Sequence, residues 1–150
     1  MNSPIKIILK NRKAYFNYEI IDKYEAGLVL LGMEVKSLRD GKASINEAFA
    51  RPSDGELFIY QMDITAYSSA RTEGYQPKRP RKLLMHKKEI ARLIGRIMEK
   101  GLTLVPLALY FKNGIAKLEL GLARGKKLYD KREDIKKKTI NRDIQKAMKR

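Results

Sequence analysis

The chain has 150 residues, 43 % of them hydrophobic, with four Phe, no Trp and no Cys. That is enough for one domain around an aliphatic core, and the lack of cysteine excludes disulfides, thiolate chemistry and Cys-based zinc sites. Lys and Arg number 33 against 17 Asp and Glu, for a net charge of +16. Such a balance calls for a polyanionic partner, nucleic acid first, because each phosphate neutralised by a basic side chain releases condensed counterions.

The start of the chain has only one short apolar stretch, Ile5 to Leu9 broken by Lys6. It is too short for a signal h-region or a spanning helix, so the expected location is the cytoplasm. From Ala14 to Val35 the run is rich in Tyr, Ile, Val and Leu with Gly27 and Gly32 interposed, which predicts two strands with bends, followed by a short basic turn over Lys36 to Lys42. Residues 45–51 and 56–64 flank Pro52-Ser53-Asp54-Gly55 and predict a hairpin. Between Ser68 and Lys82, Gly74, Pro77, Pro80 and a cluster of basic residues predict a long exposed loop, since proline suits neither helix nor central strand.

His86 to Lys100 carries Ile90, Leu93, Ile94, Ile97 and Met98 at helical spacing, with Gly101 placed to end the helix. The alternating runs on either side of Asn113-Gly114 predict a second hairpin, because both turn positions need positive φ. The sum is a mainly β fold over residues 1–123: a small antiparallel barrel of about six strands with flanking helices. An oligonucleotide-binding (OB-like) barrel leads, with an SH3-like barrel sharing the pattern.

Residues 124–150 form a separate basic tail, with twelve basic against four acidic residues, half of the net charge. Free in solution such a segment is expected to be disordered, since it has little apolar area to offset the entropy of ordering. Yet Ile140, Ile144, Ala147 and Met148 share a helical face, and Glu133 with Lys137 and Asp134 with Lys138 are i, i+4 pairs. The tail therefore reads as a helix that forms on a partner. Its narrow apolar stripe, without Trp, Phe or Leu, argues against membrane binding. Tyr129 stands between Lys126-Lys127 and Lys131-Arg132, outside any expected core, where stacking on a base gives the ring a role.

Catalytic signals are sparse. The single histidine, His86, falls at the predicted start of a helix, and no P-loop, GxSxG motif or His/Cys cluster occurs. Glu25 and Glu34 suggest a Mg²⁺-dependent RNA-cleaving site as one alternative, although a Glu in a strand-like run more often holds a basic neighbour or an RNA amino group. A ribosomal protein with a basic extension is the other alternative. Neither cofactor nor metal is expected.

The blocks Asn11-Arg12-Lys13-Ala14, Glu25-Ala26-Gly27, Gly32-Met33-Glu34-Val35-Lys36-Ser37-Leu38-Arg39-Asp40-Gly41-Lys42 and Arg81-Lys82-Leu83-Leu84-Met85-His86 occur in order. So do Gly101 to Pro106, Leu109 to Gly114 and Gly125-Lys126-Lys127-Leu128-Tyr129-Asp130-Lys131-Arg132. In these blocks the chain resembles the SmpB (SsrA-binding protein) family across nearly its whole length. Met33 departs from the pattern, which more often has Thr or Trp there.

The resemblance implies an OB-type barrel without enzymatic activity. It further implies a monomeric adaptor of trans-translation, which binds the tRNA-like domain of transfer-messenger RNA and delivers it to stalled ribosomes. By the same resemblance the RNA-binding residues are Asn11, Arg12, Lys13, Glu25, Gly27, Lys36, Leu84, Lys117, Lys126 and Lys127. Tyr129, Asp130, Lys131, Arg132, Lys136, Ile140, Ile144 and Met148 would meet the small-subunit decoding centre and the empty mRNA path.

Overall fold

A computed structural model describes residues 4–67 and 73–126. In chain order the elements are β1 (Ile5–Lys10), α1 (Arg12–Asn17), β2 (Tyr18–Leu28), α2 (Gly32–Arg39), β3 (Ala43–Ser44), β4 (Phe49–Ser53), β5 (Glu56–Tyr60), β6 (Asp63–Ile64), β7 (Arg81–Leu84), α3 (Lys87–Lys100), β8 (Thr103–Lys112) and β9 (Ile115–Gly125). The main sheet runs β1-β8-β4-β5-β7-β2-β9, and β8 also pairs with β9. Six antiparallel strands thus close into a ring, with β1 added along β8; closure removes the open edges on which foreign strands could pair. Strands β3 and β6 make a two-stranded ribbon beside it.

Both expected hairpins form, on tight turns at Asp54-Gly55 and Asn113-Gly114 whose four residues all have positive φ. From the second turn the register runs Lys112↔Ile115, Phe111↔Ala116, Tyr110↔Lys117. Ala116, Leu118, Leu120 and Leu122 consequently face inward, where they join Leu57, Ile59, Leu83, Leu104 and Leu109 in the core. The amphipathic helix α3 lays Ile90 and Leu93 on that core, ends at Gly101 in the left-handed conformation, and takes His86 as its N-cap residue. Strand β9 continues to Gly125, and the Lys126 N–H donates to the Asn17 carbonyl at 2.9 Å, so pairing runs past residue 123.

Two expected strand segments are helices instead. Asn11 caps α1 by accepting the Ala14 N–H at 3.2 Å, and Ala14 packs on Val105, Leu107 and Ala123 in a smaller cluster outside the barrel. Residues 32–39, divided in the sequence reading between strand and basic turn, form α2. Its start is set by Glu34, whose carboxylate accepts the Leu31 N–H at 2.8 Å, an N-terminal capping contact that overrides the strand preference of the Val and Leu residues nearby. Glu34, Ser37 and Leu38 face inward and are fully buried.

The described part of the segment leading to β7 is a loop and mostly exposed, Lys78 included, but two of its expected basic residues turn inward. Arg81 is fully buried and donates through both Nε, at 2.8 Å, and Nη2 to Glu34 Oε2. It also donates to the carbonyls of Met62, Arg79 (3.2 Å) and Pro77 (2.9 Å). Arg79 adds Nε to Glu34 Oε2 at 3.2 Å and Nη2 to Oε1, and the Tyr75 hydroxyl lies 2.9 Å from Glu34 Oε2. The prolines do exclude helix, but Arg79 and Arg81 reach a buried carboxylate. One cluster therefore ties α2, the segment from Tyr75 to Arg79, and β7 together.

Burial pushes the Glu34 carboxyl up, but the bonds from Arg79, the Leu31 N–H and Arg81 outweigh it and leave the group below the ordinary value of 4.5. Between the folded value and 4.5 the unfolded chain holds a proton that the folded chain does not, so this contribution is complete above that window and is lost as pH falls through it. Glu34→Gln should therefore flatten the acid limb of stability against pH in urea titrations. At neutral pH it should cost about 3–5 kcal/mol, because Arg81 is left buried without its counter-charge. An unchanged acid limb would remove Glu34 from that role.

Candidate nucleic-acid interface

Directly opposed residues in antiparallel strands present their side chains on the same face. Gly27 on β2 is opposite both Leu84 on β7 and Lys117 on β9, and Lys117 is opposite Tyr110 on β8. Three residues expected from sequence thus form one row across three strands, on the outer wall. Leu84 is half exposed, at 50 %, and lies against Gly27, where an added Cβ would sit 3.3 Å from the Leu84 Cβ. The glycine lets β7 carry its leucine close over β2; a side chain there would require Leu84 to give way by a few tenths of an ångström.

One step along the barrel, Glu25 is opposite Glu119. Two like charges so placed repel, and nearby groups of the wall offset this. The Tyr110 hydroxyl donates to Glu25 Oε2, and the Lys112 ammonium lies 3.5 Å from the same oxygen. The tyrosine bond holds the Glu25 carboxyl below its usual range, against a smaller opposing effect of burial and with help from the Lys112 and Lys117 charges. Burial, then the neighbouring Glu25, push the Tyr110 hydroxyl strongly up. Glu25 is consequently an ionised acceptor and Tyr110 a fixed donor at neutral pH.

Above this pair lies a groove of about 640 Å³ walled by Ile5, Ile7, Tyr15, Leu107 and Ala108 and carrying Arg12, Glu25, Tyr110 and Glu119. Tyr15 is 45 % exposed, and the Lys23 ammonium lies 5.6 Å from its ring centre. An acceptor floor, apolar walls and a basic surround suit the edge of an unpaired base with its phosphate outside.

The other sequence candidates are placed differently. Asn11 is 2 % exposed and committed on all sides, donating to Pro106 O at 2.8 Å and to Ile45 O at 3.4 Å while capping α1. Its side chain orients the Arg12-Lys13 turn rather than lying on the surface with it. Arg12 lines the groove, and Lys13 pairs with Glu47 at 2.7 Å. Lys36 projects from α2 over the Tyr67 ring, 5.7 Å from its centre, apart from the Gly27 row. Lys126 lines a shallow hollow with Tyr15, Tyr18 and Lys23. Lys127, Tyr129, Asp130, Lys131, Arg132, Lys136, Ile140, Ile144 and Met148 lie outside the described residues.

The family resemblance assigns no contact to Tyr110, Lys112, Glu119, Ile5, Ile7 or Tyr15. Counting back from the Asn113-Gly114 turn would have put Tyr110 beside Lys117, but its link to Glu25 depends on β2 closing against β9. Glu25 and Glu34 hold separate partners and do not come together as a carboxylate pair. Among the described residues no group of three or more His, Cys, Asp or Glu is placed to hold a metal, and no helix is long and apolar enough to cross a membrane.

A small closed barrel with an apolar and basic groove on its outer wall defines the class: an OB-like nucleic-acid-binding fold. The family described as SmpB protein matches residues 8–150, and the chain belongs to it. It is 57 % identical over 143 residues to the SsrA-binding protein of Carboxydothermus hydrogenoformans, covering 95 % of this chain and 96 % of that one. The SsrA-binding protein of Geobacter sulfurreducens is 56 % identical over 143 residues (95 % and 94 %). That of Gloeobacter violaceus is 56 % identical over 145 residues (97 % and 95 %). A solved chain from work described as "tmRNA-SmpB: a journey to the center of the bacterial ribosome" superposes with a TM-score of 0.68 at 50 % identity, covering 85 % of this chain and 93 % of that one.

Replacing Tyr110 by Phe should raise the Glu25 pKa toward its ordinary 4.5, because the bond that contributes most to lowering it is gone. An NMR titration of the Glu25 carboxyl carbon would detect this, and an unmoved midpoint would show that the lysines alone set it.

Proposed function

We propose that this chain is an RNA-binding adaptor of trans-translation. It binds the tRNA-like domain of transfer-messenger RNA, brings that RNA to stalled ribosomes, and works in the cytoplasm as a monomer without catalysis of its own. The observation that carries this reading is membership of the SmpB family over residues 8–150, a span that includes the basic tail. Relatives named for binding SsrA are aligned with 95 % or more of the chain.

The row Leu84-Gly27-Lys117 with Glu25 and Arg12 supports a division of tasks within that function. Lys117 and Arg12 supply phosphate charge, Leu84 offers an apolar contact, and the Glu25 carboxylate accepts amino hydrogens from a base edge. The tail from Lys127, with Tyr129 and the Asp130-Lys131-Arg132 motif, then probes the decoding centre and the empty mRNA path. Ordering of the tail there is coupled to binding, which makes an occupied mRNA path an obstacle to it.

Lys117→Ala and Leu84→Ala should each weaken binding to the isolated tRNA-like domain, and Lys117→Ala should also reduce the slope of log affinity against log salt by about one unit. A full-strength complex in both variants would remove the row from the interface. Ending the chain after Lys126 should leave that affinity close to the full-length value while abolishing peptide tagging on stalled ribosomes. Parallel loss of both would show that barrel and tail do not divide the work.

A further inference from the structure

The outer face of the β4–β5 hairpin is not used by this reading. Phe49 is opposite Tyr60, Arg51 is opposite Phe58, and Phe58 is opposite Lys82 on β7. Their neighbours Ala50, Leu57, Ile59 and Arg81 are buried inside, so these five side chains share the outward face. The Phe49 and Tyr60 rings are stacked, with centres 5.7 Å apart and planes at 20°. The Arg51 guanidinium lies 4.7 Å from the centre of the Phe49 ring. A cross-strand aromatic pair adds sheet stability, but that purpose alone calls for neither a third ring nor a cation over the stack.

The positive charge on this face is only partly compensated. Among the described residues Arg51 is exposed and paired with no carboxylate, whereas Lys82 is matched by Glu56 at 2.8 Å. Beyond Lys82 a cleft against α3 adds the exposed Lys87. Tyr60 has no ring or cation neighbour other than Phe49 among the described residues, so its stacking capacity is only partly used. Rings and a planar guanidinium, with uncompensated positive charge at either side, match the chemistry of unpaired nucleotides: bases stack on the planes and phosphates take the charge.

We propose that the Arg51–Phe49–Tyr60 ladder is a stacking site for an unpaired stretch of RNA, separate from the row that runs from Leu84 through Lys117 to Tyr110. The two occupy different sectors of the barrel wall, the ladder on β4 and β5 and the row on β7, β2, β9 and β8, so one folded RNA and one single strand can be held together. Recognition through ring faces tolerates any base, and the site therefore reads strandedness rather than sequence.

The test uses the full chain and fluorescently labelled oligoadenylate and oligouridylate of about 12 nucleotides, with the tRNA-like domain measured in parallel. Tyr60→Leu keeps bulk and removes the ring; Arg51→Lys keeps charge and removes the plane. Each should weaken both oligonucleotides by about tenfold, the effect of one lost stacking contact, without changing affinity for the tRNA-like domain. A saturating amount of that domain should leave oligonucleotide binding in place. Wild-type oligonucleotide affinity in Arg51→Lys overturns the proposal, including the case where this face serves a protein; because Arg51 is exposed, that variant decides even if Tyr60→Leu fails to fold. Full competition by the tRNA-like domain, or an equal loss of oligonucleotide binding in Leu84→Ala and Lys117→Ala, also overturns it by reducing the two sites to one. Neither result touches the function proposed above, which fails only if the tRNA-like domain itself is not bound.

Discussion

Glu34 and Arg81 are bonded to each other and are the fully buried charged side chains among the described residues. Isolated, either would carry a desolvation cost of several kcal/mol; paired, and with the remaining guanidinium hydrogens on backbone carbonyls, the two are tolerated. The pair joins elements far apart in sequence. Glu34 sets the start of α2, Arg81 opens β7, and Tyr75, Pro77 and Arg79 between them are drawn onto the same cluster. Strand β7 is the link between β5 and β2 in the ring, so the cluster sits where the barrel closes. A geometry this demanding specifies one arrangement of the segment, which an aliphatic plug would leave freer.

Closure of the ring is also what makes the candidate interface. Leu84 comes from β7, Gly27 and Glu25 from β2, Lys117 and Glu119 from β9, Tyr110 from β8, and Arg12 and Tyr15 from α1. None of these strands presents a useful surface alone. Brought into register, they place a fixed acceptor, a fixed donor and a cation within one groove, and the antiparallel ladder holds them without loops that must be ordered on binding. Glu25 opposite Glu119 is unfavourable for the fold and for a phosphate backbone alike.

Two different uses of positive charge emerge. On the barrel, Lys13, Lys82, Lys112 and Arg96 are matched by Glu47, Glu56, Glu25 and Asp22, while among the described residues cations such as Arg12, Arg51 and Lys117 have no carboxylate at salt-bridge distance and leave the described surface basic. In residues 127–150, ten basic residues face four acidic ones, and charge there is in excess. Basic residues on the wall are thus partly offset by carboxylates one by one, whereas those of the tail outnumber its acidic residues by more than two to one.

What the residues determined by themselves was local or global, with little in between. Composition named a polyanionic partner, the Asn113-Gly114 step set one hairpin and its register, and the 3.6-residue spacing of Ile90, Leu93, Ile94 and Ile97 defined α3; each depends on neighbours within a turn or two of chain. The helices α1 and α2 fall where the aliphatic and aromatic content favours extended chain or a basic turn, while their capping side chains, Asn11 and Glu34, are also bonded to distant partners, Pro106 for the first and Arg79 and Arg81 for the second. The same holds for the basic segment before β7, whose charges look solvated until a buried carboxylate from 47 residues away meets Arg81. Tertiary structure alone decided which carboxylate went inward, which faced the groove, and which glycine lay under a leucine, because those outcomes rest on strand pairing between residues that no sequence window contains.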